Sequence, residues 1–166
     1  MTVNKHLPHV LVLPEDDANR QIANGFMRHL SVDERRTQIL DVARGWPKIL
    51  KFFRSGSAYD MRGYTDRIMV LLVDSDRHAQ RVTRIRGQIP TDLQSRVFVL
   101  GTWSDPEDLR AQVGTSYEQI GEKLADCCRN APASGAIGGL WSHRLLDHNS
   151  AELGRIAPTV RQFLFR

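Results

Sequence analysis

The chain has 166 residues, 41% of them hydrophobic and 25% charged, with a formal net charge of +4 at pH 7. This size and balance describe one globular domain with a real core, and they exclude a disordered or fibrous chain. The only cysteines, Cys127 and Cys128, are adjacent, which excludes a disulfide framework and a Cys-x-x-Cys zinc site. Without a long apolar run or the apolar segment of a secretory signal, we expect a cytoplasmic protein without membrane contact.

The first 64 residues predict two strands, each followed by a helix. Residues 9–13 are an apolar run that stops at Pro14-Glu15-Asp16-Asp17. Helical spacing follows, with Asp16 or Asp17 placed to cap the first turn. The apolar positions of this helix are Ala18, Ile22, Ala23, Phe26 and Leu30. Residues 37–43 are a weaker strand candidate, Gly45-Trp46-Pro47 opens the next helix, and residues 55–64 read as a loop and irregular chain.

Residues 68–73 are six consecutive apolar residues, typical of a strand buried on both faces of a parallel sheet. This strand ends in Asp74-Ser75-Asp76. The pattern after it predicts a helix that ends before Pro90. We expect Ala79, Val82, Ile85 and Ile89 on its inner face and Arg77, Arg81 and Arg84 together on its outer face.

The remaining chain predicts a fourth strand at residues 96–100 and a mostly helical end. Ser104-Asp105-Pro106-Glu107 resembles a capping box, and Ser116 begins a further helix. Residues 131–139 predict a mobile linker, followed by helices at 140–146 and 150–165 with a break near Pro158. We therefore predict one α/β domain over residues 1–166, with three layers and a mainly parallel sheet of about four strands. Its α/β core covers residues 8–110, and residues 111–166 form a helical extension.

Carboxylates follow two of the predicted strands. Glu15, Asp16 and Asp17 follow the first, and Asp74 and Asp76 follow the third. Ligands collect at the carboxyl ends of strands in open α/β sheets, and carboxylate oxygens suit hard cations. If the first and third strands are neighbours, these acids converge on a Mg²⁺ (or Mn²⁺) site. The simpler alternative is that one aspartate caps the following helix, which explains one of the pair but not both.

This pattern resembles the Toprim fold of topoisomerases, primases, small ribonucleases and OLD-type nucleases. In that family a glutamate ends the first strand and an Asp-x-Asp ends the third. Glu15 matches the glutamate and Asp74-Ser75-Asp76 matches the Asp-x-Asp, and the resemblance covers residues 8–110. Toprim proteins usually place glycine directly after the glutamate, where this chain has Asp16. Which of the three acids at this turn faces the metal therefore stays open.

The resemblance implies a Mg²⁺-dependent nuclease, or a nuclease subunit, that cleaves phosphodiester bonds of DNA or RNA. It also makes a homodimer or a partner ATPase in a bacterial defence or mobile-element system plausible. The implied catalytic and metal-binding acids are Glu15, Asp74 and Asp76, with Asp16, Asp17 and Glu107 as further metal ligands. Arg77, Arg81 and Arg84 are candidates for phosphate contact, with Arg20 and Lys123 as additional ones. For Glu107 a capping role, and for the cations a solvated surface, are the alternatives.

Two other functions compete with the nuclease. The segment 10–20 also resembles the first strand and turn of response-regulator receiver domains, in which Asp74 would accept phosphate and Thr102 would be the hydroxyl residue after the fourth strand. The Asp-Ser-Asp-Arg-His turn and the lack of a fifth strand ending in Lys-Pro count against that class. The third possibility is a non-catalytic Toprim-like module that binds nucleic acid or a protein.

Overall fold

The computed structural model describes residues 2–133 and 136–166. Within these ranges four strands form one sheet in the order β2-β1-β3-β4, and every pair is parallel. The strands are β1 (His9–Pro14), β2 (Thr37–Ile39), β3 (Arg67–Leu72) and β4 (Val97–Leu100). The predicted parallel α/β fold is therefore confirmed, and β1 and β3 are neighbours.

Helices cover both faces of the sheet. The α-helices of the described residues are α1 (Asp17–Arg28), α2 (Trp46–Phe52), α3 (Ala58–Gly63), α4 (Ala79–Gly87), α5 (Pro106–Val113), α6 (Tyr117–Asn130) and α7 (Ser150–Leu164). Val10 and Val12 of β1 pack in a cluster with α1, α6 and α7. Leu11 and Leu13 pack in a second cluster with α2, α3 and α4. Because successive strand residues face opposite sides, one apolar run supplies two cores, which gives the three layers.

The C-terminal helix α7 protects the free edge of β4. Glu152 accepts a hydrogen bond from Val99 N at 2.8 Å. Asn149, directly before the helix, accepts from Gly101 N at 3.1 Å and donates to Gly101 O at 2.8 Å. Unpaired strand edges invite aggregation, so these side chains occupy the place that a fifth strand would otherwise take.

Helices α1 and α6 cross at two glycines. A Cβ added to Gly25 would lie 1.9 Å from Glu118 O, and one added to Gly121 would lie 2.0 Å from Ile22 O. Such distances are far inside van der Waals contact, and the obstructing atoms belong to rigid helix backbone. The close crossing of α1 and α6 therefore depends on the missing side chains at both positions.

Gly121→Ala should destabilise the protein by about 3 kcal/mol, because overpacking forces the two helices apart. Urea unfolding of the purified variant measures this loss. Gly154→Ala is the matched control, since a Cβ there meets no atom of the described residues within 4 Å and alanine favours the helix. Similar stability of both variants would contradict the close helix crossing.

Several predicted boundaries are wrong. Helix α1 ends at Arg28, so Leu30 is not in the helix and is 95% exposed. The second strand stops at Ile39 instead of residue 43. Residues 58–63, predicted as irregular, form α3, which is held to the core by the fully buried Met61. One buried side chain in a polar segment is too weak a periodic signal to predict a helix.

The C-terminal predictions also need correction. Helix α7 runs through Pro158 without a break, and Pro158 lies on an exposed face where a carbonyl without its helical donor costs little. Residues 140–146 contain only the end of a 3₁₀ turn, Gly139–Ser142. The cap of α5 is Asp105, which accepts from Asp108 N, and not Ser104. The predicted linker 131–139 falls in part on residues 134 and 135, outside the described ranges.

Candidate functional site

The acidic turns after β1 and β3 meet at the carboxyl edge of the sheet. β1 and β3 pair in register from His9↔Arg67 to Pro14↔Leu72, so the residues that follow them emerge side by side. The Glu15 carboxylate accepts a hydrogen bond from Asp74 N at 2.8 Å. The structure therefore brings together two of the three acids that the resemblance implies are catalytic.

Asn19 connects the two acidic turns. Its side-chain amide donates to Asp16 Oδ1 and to Asp74 Oδ1, each at 3.1 Å. Asp16 is the N-cap of α1 and also accepts from Asn19 N at 2.9 Å. Asn19 is only 3% exposed, although it lies on the first turn of a helix. Sequence reasoning missed this residue, and its one signal was a polar side chain placed three residues after the cap.

Thr102 brings the end of β4 into the same site. Its hydroxyl donates to Asp74 Oδ1 at 3.0 Å, and the side chain is 2% exposed. The neighbouring Gly101 allows this approach, because a Cβ there would lie 1.9 Å from Val73 O. Asp74 thus receives hydrogen bonds from α1 and from the turn after β4, and it occupies the centre of the carboxyl edge.

Burial dominates the electrostatics of this centre. Removal from water raises the pKa of Asp74 to about 8, against the hydrogen bonds of Asn19 and Thr102, which lower it. The nearby charges of Asp16 and Glu15 also contribute to this raised pKa. Burial also raises the pKa of Glu15, while the hydrogen bond from Asp74 N and the charge of Arg81 act in the opposite direction. Crowded carboxyl groups with raised pKa values are typical of functional sites, although structural networks share the property.

Asp76 lies at the rim of this centre and not inside it. Its side chain is 65% exposed and its carboxylate is 3.5 Å from the Arg81 guanidinium. Asp76 and Arg77 both have positive φ angles, 48° and 61°, a conformation that is unfavourable for residues with a Cβ. Their amides are held by the carbonyls of Ser104 and Trp103 at 3.1 and 2.8 Å. A turn of this kind separates Asp76 from the helix that follows.

Helix capping does not explain the Asp-x-Asp pair. Helix α4 begins at Ala79, its N-cap is His78, and no side chain of the described residues caps it. Neither Asp74 nor Asp76 therefore has the role that the simpler interpretation gave to one of them.

The three arginines after β3 do not share one face, which corrects the prediction. Arg77 precedes the helix and lies 3.4 Å from Asp108 of α5. Arg81 turns inward: it donates to Asp74 O at 2.7 Å and its side chain is 18% exposed. Arg84 is exposed, with its guanidinium 6.0 Å from the centre of the Trp46 ring.

The other candidate residues lie around or away from the centre. Asp17 is engaged with Arg20 at 2.5 Å and with Gln21 at 2.6 Å on the exposed side of α1. Glu107 is exposed as a residue. Partial burial of its carboxyl group raises its pKa most, and contact with Asp105 and the charge of Asp16 raise it less. Lys123 is exposed on α6. Asp17 and Arg20 thus form an ion pair with each other, and Glu107 lies near the acidic edge.

The donor types at this edge fit a hard divalent cation, since they are carboxylate, hydroxyl and amide oxygens. Ser75 Oγ and Ser104 Oγ are buried beside the two acidic turns and have no hydrogen-bond partner among the described residues. As they stand, however, no three His, Cys, Asp or Glu side chains within 2–133 and 136–166 are arranged to hold a metal ion. Glu15 is instead occupied by Asp74 N, and Asp76 faces Arg81. A metal would have to displace these contacts.

No protein-family model, curated protein or solved structure matches the chain. Of the helices in the described ranges, none combines the length and the apolar character needed to cross a membrane. The fold and the acidic edge therefore define the class only as an α/β protein with a parallel sheet and a cluster of carboxyl groups at its carboxyl edge.

Proposed function

We propose that the protein is a Mg²⁺- or Mn²⁺-dependent nuclease centred on Glu15, Asp16 and Asp74. The observation that supports this best is the direct contact between the turns after β1 and β3, where Glu15 accepts from Asp74 N and Asn19 joins Asp16 to Asp74. Asp74 is buried beside the half-buried Glu15 and Asp16 and caps no helix, so a structural role does not explain its carboxyl group. A divalent cation would relieve the mutual repulsion of these groups.

When bound, a divalent cation neutralises charge on the phosphate and keeps the attacking and leaving oxygens in line. Asp16 and Asp74, whose carboxylates both accept from the Asn19 amide, would be the residues that hold it. Asp76 is exposed at the rim, where it can approach from the turn. Arg81, adjacent to Asp74 and Asp76, offers a positive charge to the scissile phosphate.

Glu15 is the candidate proton acceptor. Burial raises its pKa from the usual value towards the range where a general base works at neutral pH. Its carboxylate would take the proton of the attacking water once its contact with Asp74 N opens. A partner ATPase and a homodimer are proposed from the Toprim resemblance alone.

Incubation of the purified protein with plasmid, single-stranded DNA and RNA in Mg²⁺ or Mn²⁺ tests this function. We expect cleavage that EDTA stops and that Glu15→Gln reduces by roughly 10²-fold, the usual contribution of a general base. Asp17→Asn is the matched control, because Asp17 pairs with Arg20 on the helix surface. Cleavage unchanged in Glu15→Gln would reject the mechanism, and metal-independent binding without turnover would indicate the passive module.

One observation favours a second function, the receiver-like phospho-acceptor. The hydroxyl after β4, on Thr102, is hydrogen-bonded to the carboxylate after β3, on Asp74. Acetyl phosphate would then label Asp74 in the presence of Mg²⁺, and Asp74→Asn would not be labelled. No hydrogen bond or ion pair joins a lysine to Asp74 in the described part of the chain, so the phosphate would lack the usual cationic partner.

A further inference from the structure

An open groove of about 560 Å³ lies between α2 and α4. Trp46 and Leu50 of α2 supply its apolar surface, and Lys51, Arg54 and Arg84 supply charge. No acidic residue is among the lining side chains that the structure describes. The groove is therefore both positive and partly aromatic, a combination typical of surfaces that bind nucleic acid strands.

The cations of the groove are available to a ligand. Lys51, Arg54 and Arg84 are exposed, and within residues 2–133 and 136–166 none of them forms an ion pair. Surface arginines elsewhere do find acids, as Arg62 does with Asp92 at 2.7 Å. Three uncompensated cations in one groove indicate an anionic partner.

Trp46 connects the groove to the acidic centre. Arg81 lies 5.6 Å and Arg84 6.0 Å from the centre of its ring, and Arg81 also donates to Asp74 O. The backbone before Trp46 is hydrogen-bonded to the turn after β1, since Glu15 O accepts from Arg44 N at 2.8 Å and Gly45 N at 3.3 Å. A nucleic acid strand lying in the groove would pass the half-buried indole of Trp46 and reach the acidic edge.

We propose that this groove binds unpaired nucleotides of a single-stranded nucleic acid and leads the strand to the acidic edge. Trp46 stacks on a base, and Lys51, Arg54 and Arg84 contact phosphates. Only an unpaired base presents its face to a side chain in this way, so a duplex should bind more weakly. This inference rests on the proposed nuclease function for its purpose, although the binding itself requires no cleavage.

Fluorescence anisotropy of the full chain in EDTA, with labelled oligonucleotides of about 12 nucleotides, tests the proposal without cleavage. We expect the Lys51→Ala/Arg54→Ala double variant to bind about tenfold more weakly and to lose about 1.4 units of the salt slope, because two phosphate contacts with a single strand disappear. Trp46→Ala should weaken binding by at least roughly tenfold. Trp46→Phe, which keeps an aromatic ring should the alanine variant fail to fold, should retain most of the affinity. Arg62→Ala is the control, because Arg62 is paired with Asp92 outside the groove.

Three results would overturn the proposal. They are equal affinity of the double variant and the wild type, equal affinity for a duplex and a single strand, and competition by polyphosphate as effective as that by an oligonucleotide of the same charge. Oligodeoxynucleotides and oligoribonucleotides form separate arms that distinguish the two sources of single strands.

The Glu15→Gln variant separates this inference from the nuclease. If it binds normally while no cleavage is found in the wild type, the groove stands and the nuclease fails. If the wild type cleaves and the groove variants bind normally, the groove fails alone.

Discussion

Replacing Asp74 by asparagine should strongly reduce the proposed cleavage, while the metal-free variant should become more stable than the wild type as pH rises towards about 8. The carboxamide oxygen of the variant would still accept the hydrogen bonds that Asn19 and Thr102 donate to Asp74, so the fold should survive. Loss of the central carboxylate removes several kcal/mol of charge stabilisation in the transition state, which corresponds to a rate decrease on the order of 10³-fold. Opposite effects on activity and stability are expected of a residue that is kept for function.

The sign of the stability effect follows from the raised pKa of Asp74. The pKa of the Asp74 carboxyl group is 3.8 in the unfolded chain and about 8 in the folded protein. Between these pH values the folded state binds one proton more than the unfolded chain does. The stability that this proton contributes is therefore complete below the lower pKa, and the free energy of unfolding decreases as pH rises towards the higher one. The decrease is at most about 1.4 kcal/mol per pH unit. Above the higher pKa both states are ionised and this decrease ends.

Urea unfolding without divalent metal, at several pH values between about 5 and about 8, measures this effect. The wild type should lose stability along this range more steeply than Asp74→Asn. Added Mg²⁺ should raise the unfolding midpoint of the wild type and leave that of the variant nearly unchanged, since the ion binds the folded carboxylates. The control Asp17→Asn should follow the wild type in both measurements. Parallel pH profiles of the wild type and Asp74→Asn would show that folding does not raise the pKa of Asp74.

Glu152→Ala should destabilise the protein by roughly 3 kcal/mol. Glu152 is 3% exposed, accepts from Val99 N at 2.8 Å and from Arg155 Nε at 2.7 Å, and pairs with Arg86. Alanine leaves the buried amide of β4 without an acceptor and removes the partner of two arginines. The two arginine side chains are each 41% exposed, so water will compensate part of the loss.

Chemical denaturation and a test for aggregation together measure the role of Glu152. Because β4 then presents a free edge, Glu152→Ala should also aggregate more readily. Glu152→Gln keeps an acceptor for Val99 N and should lose less stability than the alanine variant. The control Glu122→Ala lies on the exposed face of α6 and should change stability by little. If Glu152→Ala unfolds like this control, α7 does not protect the sheet edge.

The sequence was most informative where the signal is local and strong. The apolar runs before Glu15 and before Asp74 predicted β1 and β3 within a residue of their ends, and both strands are followed by acids as expected. The same local patterns were weak for α3, where Met61 is the buried anchor, and misleading at Pro158. Propensity and periodicity describe a segment alone, whereas packing decides such marginal segments.

The candidate site was only half visible in the sequence. Glu15, Asp16 and Asp74 could be chosen from their positions after strands, but Asn19 was not singled out, because nothing in the chain shows that its amide bridges two carboxyl groups. The inward turn of Arg81 was likewise hidden, since the left-handed turn at Asp76 and Arg77 changes where α4 begins. These features depend on hydrogen bonds between residues more than fifty positions apart or on a local turn that propensity disfavours.

By itself the sequence determined an alternation of strands and helices and two acidic turns, because hydrophobic periodicity and turn chemistry are properties of neighbouring residues. Only the tertiary structure decided that β1 and β3 are adjacent, that Thr102 reaches Asp74, and that α7 completes the edge of β4. Those outcomes depend on which strands pair and which side chains are buried together, and burial is a property of the whole folded chain.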